Sequence, residues 1–305
     1  MQLPEELMFM ANARKPQKTT DARMDGKTCI ITGATSGVGY AAARRFAQGG
    51  ARLILVCRNQ EKGQKVKDEL QKEFGTQTDL LIADFSDLDQ VRNVAIQILE
   101  QFEHLDVLIN NAGIHNTRRI LTPVGFEEVF CVDHLASFLL TRLLLERMIQ
   151  SAPARIIQVN SEGHRFNGLD IEDLAWAKRR YKGLQGYGAA KTAQLLTAWK
   201  LADQLEGKDV TINAMHPGAV VTNIGMNNGL LYRWYQKYLL FPTMKPPTIS
   251  AEALYYLAAA PEMASVSGKF FNLTIEEKPA PHALDRELGE KVWALSEQMT
   301  GLYSD

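Results

Sequence analysis

The chain has little of what marks several protein classes. Three cysteines occur in 305 residues, and Cys29, Cys57 and Cys131 follow no disulfide or metal-ligand spacing. All three sit in apolar runs, so they read as small buried hydrophobes of a reducing compartment. His115 and His164 have no carboxylate spaced with them as a metal site requires, and no metal is expected. A formal net charge of −1 offers no basic footprint for nucleic acid. No uncharged apolar stretch approaches the roughly 20 residues of a membrane-spanning helix. The leucines at 139–140 and 143–145 are interrupted by Arg142, Glu146 and Arg147, which makes a packed core helix the better reading. The N-terminus has no charged start followed by a long apolar core, so no signal peptide is expected. A cytoplasmic protein follows as the expectation, with peripheral membrane contact and self-association left open.

What is present is ordinary globular material, 46% hydrophobic and 23% charged, without repeats or low-complexity linkers. Short β-prone runs end at Thr32, Cys57, Ala83, Ile109, Val159 and Ala214, and each is followed by a helical stretch. One long helix is expected from about Thr122 to Gln150, another from about Gly186 to Glu206. Near-continuous apolar strands alternating with helices predict an α/β fold, a doubly wound (Rossmann) parallel sheet with helices on both faces, in a single domain. Residues 1–26 read as an N-terminal extension, 27–275 as a dinucleotide-binding catalytic domain, and 276–305 as a C-terminal helical tail.

Two patterns carry chemistry. Thr32-Gly33-Ala34-Thr35-Ser36-Gly37-Val38-Gly39 closes a strand and opens a helix. There the missing side chains admit a pyrophosphate to the backbone and the helix N-terminus supplies amide donors. The second strand ends Val56-Cys57-Arg58-Asn59, with Lys62 one turn on. An acid at that point selects NAD and a cation selects NADP; Arg58 and Lys62 therefore favour NADP(H). Far downstream, Tyr187 and Lys191 lie four residues apart, on one face of a helix. A nearby ammonium lowers a phenol's pKa, which suits the tyrosine to acid/base work. His115 and His164 read as polar wall residues beside it. The aromatic run from Leu230 to Pro242 reads either as a core or dimer-contact helix or as a cover over an apolar substrate, in a lid at about 219–243.

Together with Asp84-Phe85, Asn110-Asn111-Ala112-Gly113, Ser161 and His216-Pro217-Gly218 through Thr222, these motifs resemble those of the short-chain dehydrogenase/reductase superfamily. The likeness spans about residues 26–275 and is greatest toward its retinol-dehydrogenase-like and WW-domain-oxidoreductase-like branch. The resemblance implies that Gly33, Ser36, Gly37 and Val38 hold the pyrophosphate, with Gly39 packing helix on strand. It places Asp84 and Phe85 at the adenine, Asn111, Ala112 and Gly113 by the ribose, and Pro217, Gly218, Val220 and Thr222 at the nicotinamide. Ser161 would polarise the substrate oxygen, Tyr187 would exchange its proton, and Lys191 would bind the nicotinamide ribose. The segment from Gly168 to Gly183 would be an insertion at the pocket mouth. One position departs from the family pattern: Asp133 stands where an asparagine anchors a proton-relay water. An ionised carboxylate cannot donate a hydrogen bond, and beside Lys191 its charge would offset the cation that activates Tyr187. Two functions are therefore expected as alternatives. One is an NADP(H)-dependent oxidoreductase for small lipophilic alcohols or carbonyls, retinoid-, steroid- or aromatic-ketone-like. The other is a catalytically weak nucleotide-binding regulator or scaffold of the same fold.

Overall fold

The computed structural model describes residues 12, 15–220, 224, 228–229 and 244–302. Its centre is one eight-stranded sheet in the order β3-β2-β1-β4-β5-β6-β7-β8. The strands are β1 (Thr28–Thr32), β2 (Arg52–Cys57), β3 (Thr78–Ile82), β4 (Val107–Asn110), β5 (Ala154–Val159), β6 (Val210–His216), β7 (Phe270–Asn272) and β8 (Ile275–Glu277). All neighbours pair in parallel except β7 with β8. The central strands are largely apolar because both sheet faces are covered there. Ile30, Ile54, Leu108, Ile156 and Ile212 pack on one face, while Cys29, Ile31, Leu53, Leu55, Ile109 and Ile157 pack on the other.

Helices α1 (Gly37–Gln48), α2 (Gln60–Phe74) and α6 (Thr248–Ala259) bury Phe46, Leu70 and Tyr255 in the second layer. Helices α3 (Leu88–Gln101), α4 (Ala136–Gln150), α5 (Gly183–Gln204) and α7 (Arg286–Thr300) build the first with Ile98, Leu140, Trp199 and Trp293. The chain runs outward from β1 to β3, then returns to place β4 on the other side of β1. That reversal opens a crevice at the carboxyl ends of β1 and β4, the site at which such sheets take ligands.

The sequence predicts a helix from Thr122, but Thr122–Gly125 instead make a turn. Thr122 N–H donates to Phe126 O at 2.8 Å, and Gly125 sits at φ +91°. Pro123 has no N–H to give a helix, and a glycine in the left-handed region ends one. Helical backbone starts with Glu128–Phe130, then widens into a single π-helical turn at Cys131–Leu135 before α4. Such turns cluster at functional positions, and Asp133 lies in this one.

The segments expected to flank the domain pack on it. Lys18 N–H donates to Thr274 Oγ1 at 2.8 Å, and Tyr255 Oη donates to Ala22 O at 2.6 Å. β8 straddles the expected boundary at 275–276. In α7, Trp293 is 5% exposed, meets Phe138 edge-on at 5.0 Å and lies 4.7 Å under the Arg142 guanidinium. Removing such a buried ring costs about 3–5 kcal/mol. Trp293→Ala should lose that much in urea unfolding; a loss under about 1 kcal/mol would mean that α7 is an appendage rather than part of the core.

Candidate active site

The glycine loop is stitched to the end of β4. Thr32 Oγ1 accepts from the N–H groups of Asn111 and Ala112, both at 2.9 Å. In return Asn111 Nδ2 donates to Thr32 O at 2.8 Å and to Gly33 O at 3.3 Å. Gly33 and Gly37 occupy the left-handed region at φ +70° and +56°. Gly39 has no room for a side chain, since a Cβ there would lie 2.5 Å from Gly33 O. At the start of α1 no side chain caps the helix and no acid occupies the first turn. Its amides therefore remain as donors for an anion, beside the residues Ser36 and Val38. A dinucleotide pyrophosphate fits this cradle.

At the end of β2, Asn59 caps α2 by accepting from Lys62 N–H at 2.8 Å. Arg58 is 71% exposed, 3.9 Å from Asp84, and Lys62 is exposed as well. Asp84 spends one oxygen on Ser86 N–H and Oγ at 2.9 and 2.8 Å. Phe85 is 6% exposed, its ring in the core with Val91. Of the pair expected at the adenine, only Asp84 therefore has a side chain open to a ligand. Beyond β6, Pro217 O accepts from Ser250 Oγ at 2.5 Å, Gly218 takes φ +80°, and Val220 is buried. Thr222 and most of the expected lid at 219–243 lie outside the described residues.

Around Tyr187 the structure gathers side chains from four elements. Gly163 leaves space for the ring, because a Cβ there would come within 2.6 Å of it. Ser161, in the strand-end loop after β5, caps the tight turn Glu162–Phe166 and accepts from Gly163 N–H at 2.9 Å. His115 meets the Tyr187 ring edge-on at 5.7 Å. Lys191, 3% exposed, lies 5.6 Å from the ring centroid. Its ammonium donates to Val159 O at 3.0 Å and pairs with Asp133 Oδ2 at 3.3 Å. Asp133 is fully buried, and its other oxygen accepts from Ile114 N–H at 2.7 Å. Gly113 faces that carboxylate closely enough that a Cβ would stand 3.2 Å from it.

These contacts set the protonation states. Burial raises the Asp133 pKa, while Lys191 and the Ile114 amide oppose the rise. Tyr187 is raised too, first by burial; Lys191 pulls it down, Asp133 pushes it up, and the Ser161 hydroxyl pulls it down. The lowering expected from the Tyr/Lys spacing is therefore present but outweighed by burial. The site can hold a neutral phenol beside a hydroxyl and a paired ammonium.

Residues not singled out in the sequence hold this arrangement. Asn160 Nδ2 donates to Lys191 O at 2.9 Å and to Gln194 Oε1 at 2.8 Å, while its Oδ1 accepts from Ser161 N–H at 2.8 Å. Gln194 donates to Asp133 O and to Gln158 Oε1, both at 3.1 Å. The available signals were a polar residue directly before Ser161 and a glutamine on the buried face of the Tyr/Lys helix. His164 is a buried strut and not a wall residue: Nδ1 meets Ser161 O at 2.7 Å, Nε2 accepts from Ala280 N–H at 3.1 Å, and burial drops its pKa to about 3. Among the described residues no cluster of three or more His, Cys, Asp or Glu is placed to hold a metal ion. Among them, too, no helix is long and apolar enough to cross a membrane.

Residues 27–230 match the family described as short chain dehydrogenase. Retinol dehydrogenase 13 from Homo sapiens is 37% identical over 299 residues, covering 96% of this chain and 89% of that protein. The WW domain-containing oxidoreductase of Danio rerio is 34% identical over 288 residues, covering 90% and 69%. The crystal structure of an uncharacterized protein from Mycobacterium Paratuberculosis matches with a TM-score of 0.75 at 29% identity, over 94% of this chain and 98% of that one.

Asp133→Asn removes the charge that raises Tyr187 and leaves an isostere in place. The phenol should then ionise more easily, moving the pH profile of alcohol oxidation toward acid. A pH–rate series on both proteins with one alcohol checks this; an unmoved profile would mean that the carboxylate is not coupled to the phenol.

Proposed function

The chain belongs to the short-chain dehydrogenase family, and on that premise we propose an NADP(H)-dependent oxidoreductase that interconverts a lipophilic alcohol and its carbonyl, with Tyr187 as acid/base. The observation that carries this reading is the convergence of Ser161, Tyr187 and Lys191 at the end of β5, with the phenol kept protonated by burial. A bound nicotinamide supplies or accepts the hydride. Ser161 then donates to the substrate oxygen, and Tyr187 gives that oxygen its proton in reduction or takes it back in oxidation. Lys191 has three donors; one goes to Val159 O and one toward Asp133, which leaves one for the nicotinamide ribose. Gly33, Ser36, Gly37, Val38 and Gly39 would form the pyrophosphate cradle, with Asn111, Ala112 and Gly113 bordering the ribose. Pro217, Gly218, Val220 and Thr222 would face the nicotinamide amide. A raised phenol pKa favours Tyr187 as an acid near neutrality, hence carbonyl reduction.

NADP(H) is favoured by the exposed cations Arg58 and Lys62 and by the lack of an acid at the end of β2. A lipophilic substrate is favoured by the retinol dehydrogenases among the relatives. It is favoured also by Leu184, 54% exposed one turn before Tyr187, and Phe166, 53% exposed in the turn after Ser161. The buried Asp133 beside Lys191 supports the second reading, a weakly active nucleotide-binding protein.

NADPH consumption against a panel of aromatic and terpenoid carbonyls separates the two. With an accepted substrate, Tyr187→Phe should cut turnover by at least about 100-fold with NADPH affinity little changed; near-normal turnover would refute the acid/base role. Arg58→Asp should weaken NADPH binding by about 1.5–3 kcal/mol, the size of a hydrogen bond to a charged group. Wild-type protein that binds NADH more tightly than NADPH would overturn the cofactor assignment.

A further inference from the structure

We propose that Glu162 and Glu277 share a proton beneath the Arg165 guanidinium, and that this proton clamps the Ser161 turn to the C-terminal hairpin, making both carboxylates positioning residues for the reaction. The proposal rests on the reading that Ser161 orients the substrate. Its basis is the set of bonds between the turn Glu162–Phe166 and the segment after β7. His164 ties Ser161 O to Ala280 N–H, and His282 Nε2 meets His164 O at 2.8 Å. Arg165 donates to Lys278 O at 3.1 Å, bonds Glu162, and lies 3.8 Å from Glu277. The turn is thus fastened to the hairpin at several points, and Ser161 is its cap.

The charge count within this fastening does not balance without a proton. Glu162 and Glu277 side chains are 12% and 3% exposed, and Arg165 is 17% exposed. Two buried carboxylates would face one guanidinium. Among the described residues Glu162 Oε1 and Glu277 Oε2 each lack a hydrogen-bond donor, while the other Glu277 oxygen accepts from Asn272 at 2.9 Å. A proton between the two orphaned oxygens satisfies both and brings Glu162, Glu277 and Arg165 together to neutrality. The titratable and charged neighbours are His164, His216, His282 and Lys278, of which burial keeps the first two neutral near pH 7. His216, from β6, accepts from Glu162 N–H at 3.4 Å and is pushed down to about 4 by burial; His164 lies at about 3. Burial, opposed by Arg165 and reinforced by the Glu277 charge, lifts Glu162 to about 7.

A carboxyl whose folded pKa lies above its unfolded value supports the fold fully below the ordinary carboxylate range. That support is lost as pH rises through the folded value, here about 7. Above it the clamp holds two repelling charges and the Ser161 turn loosens. Tyr187, raised above its ordinary value, does not titrate there. Glu127 does, also at about 7, but it caps the helical turn Glu128–Phe130 and bonds Tyr181, so single substitutions distinguish the two.

The test is amide exchange of residues 162–166, corrected for intrinsic rates, and carbonyl-reduction kinetics, both from about pH 6 to pH 9. Wild type should lose protection and kcat with rising pH, kcat by roughly tenfold per unit beyond the midpoint, while the KM for NADPH stays level. Glu162→Gln, whose amide donates permanently, should abolish the pH dependence of both. Glu277→Gln should do the same and serves if the first variant folds poorly. Wild-type pH dependence persisting in both variants would overturn the proposal, as would flat protection in the wild type. If no carbonyl is reduced, the exchange experiment still reads the clamp, so failure of the activity and failure of the clamp are separable.

Discussion

The Lys191 ammonium is the constraint on which the site depends. A charge that is 3% exposed must be paired and hydrogen-bonded to be tolerated. Its partners come from two other elements: Val159 O at the end of β5 and Asp133 in the π-helical turn before α4. Satisfying it therefore fixes α5 against the sheet and draws the π-helical turn inward. Tyr187, four residues earlier on the same helix, is set in place by the same anchoring. The widened turn at Cys131–Leu135 is intelligible in these terms, since Asp133 reaches both Lys191 and the Ile114 amide from it.

Around that pair the polar groups form a connected set. Asn160 joins Ser161 N–H, Lys191 O and Gln194, and Gln194 continues to Asp133 O and Gln158. Satisfied buried networks rigidify what they connect. Here they connect the hydroxyl, the phenol-bearing helix and the ammonium of one proposed reaction. Preorganisation of this kind is what a proton transfer to a substrate oxygen requires, because the donors need not reorganise during the step.

Much of the fold was legible because buried parallel strands are written as apolar runs, as in residues 29–31 and 53–57. The glycine loop was legible because Gly33, Gly37 and Gly39 answer backbone demands that no other residue meets. Other features depended on tertiary context. The helix expected from about Thr122 starts later than its sequence range, because Gly125 at φ +91° closes a turn. The resemblance implies both Asp84 and Phe85 at the adenine, yet the two side chains part, one into the core and one outward. The Tyr187–Lys191 spacing showed a lowering interaction but not the burial that exceeds it, because desolvation is a property of the packed site. His164 and Glu277 are 113 residues apart, so no local pattern could join them to one clamp.

The proposed chemistry depends on a neutral Tyr187 phenol poised as an acid, with the Asp133 charge offsetting the Lys191 cation. A carbon NMR titration of Cζ-labelled tyrosine, with Tyr187 assigned by its loss in Tyr187→Phe, reads that state directly. The Tyr187 resonance should still be in the phenol form at the ordinary tyrosine midpoint of about pH 10. A phenolate formed well below that midpoint would contradict it.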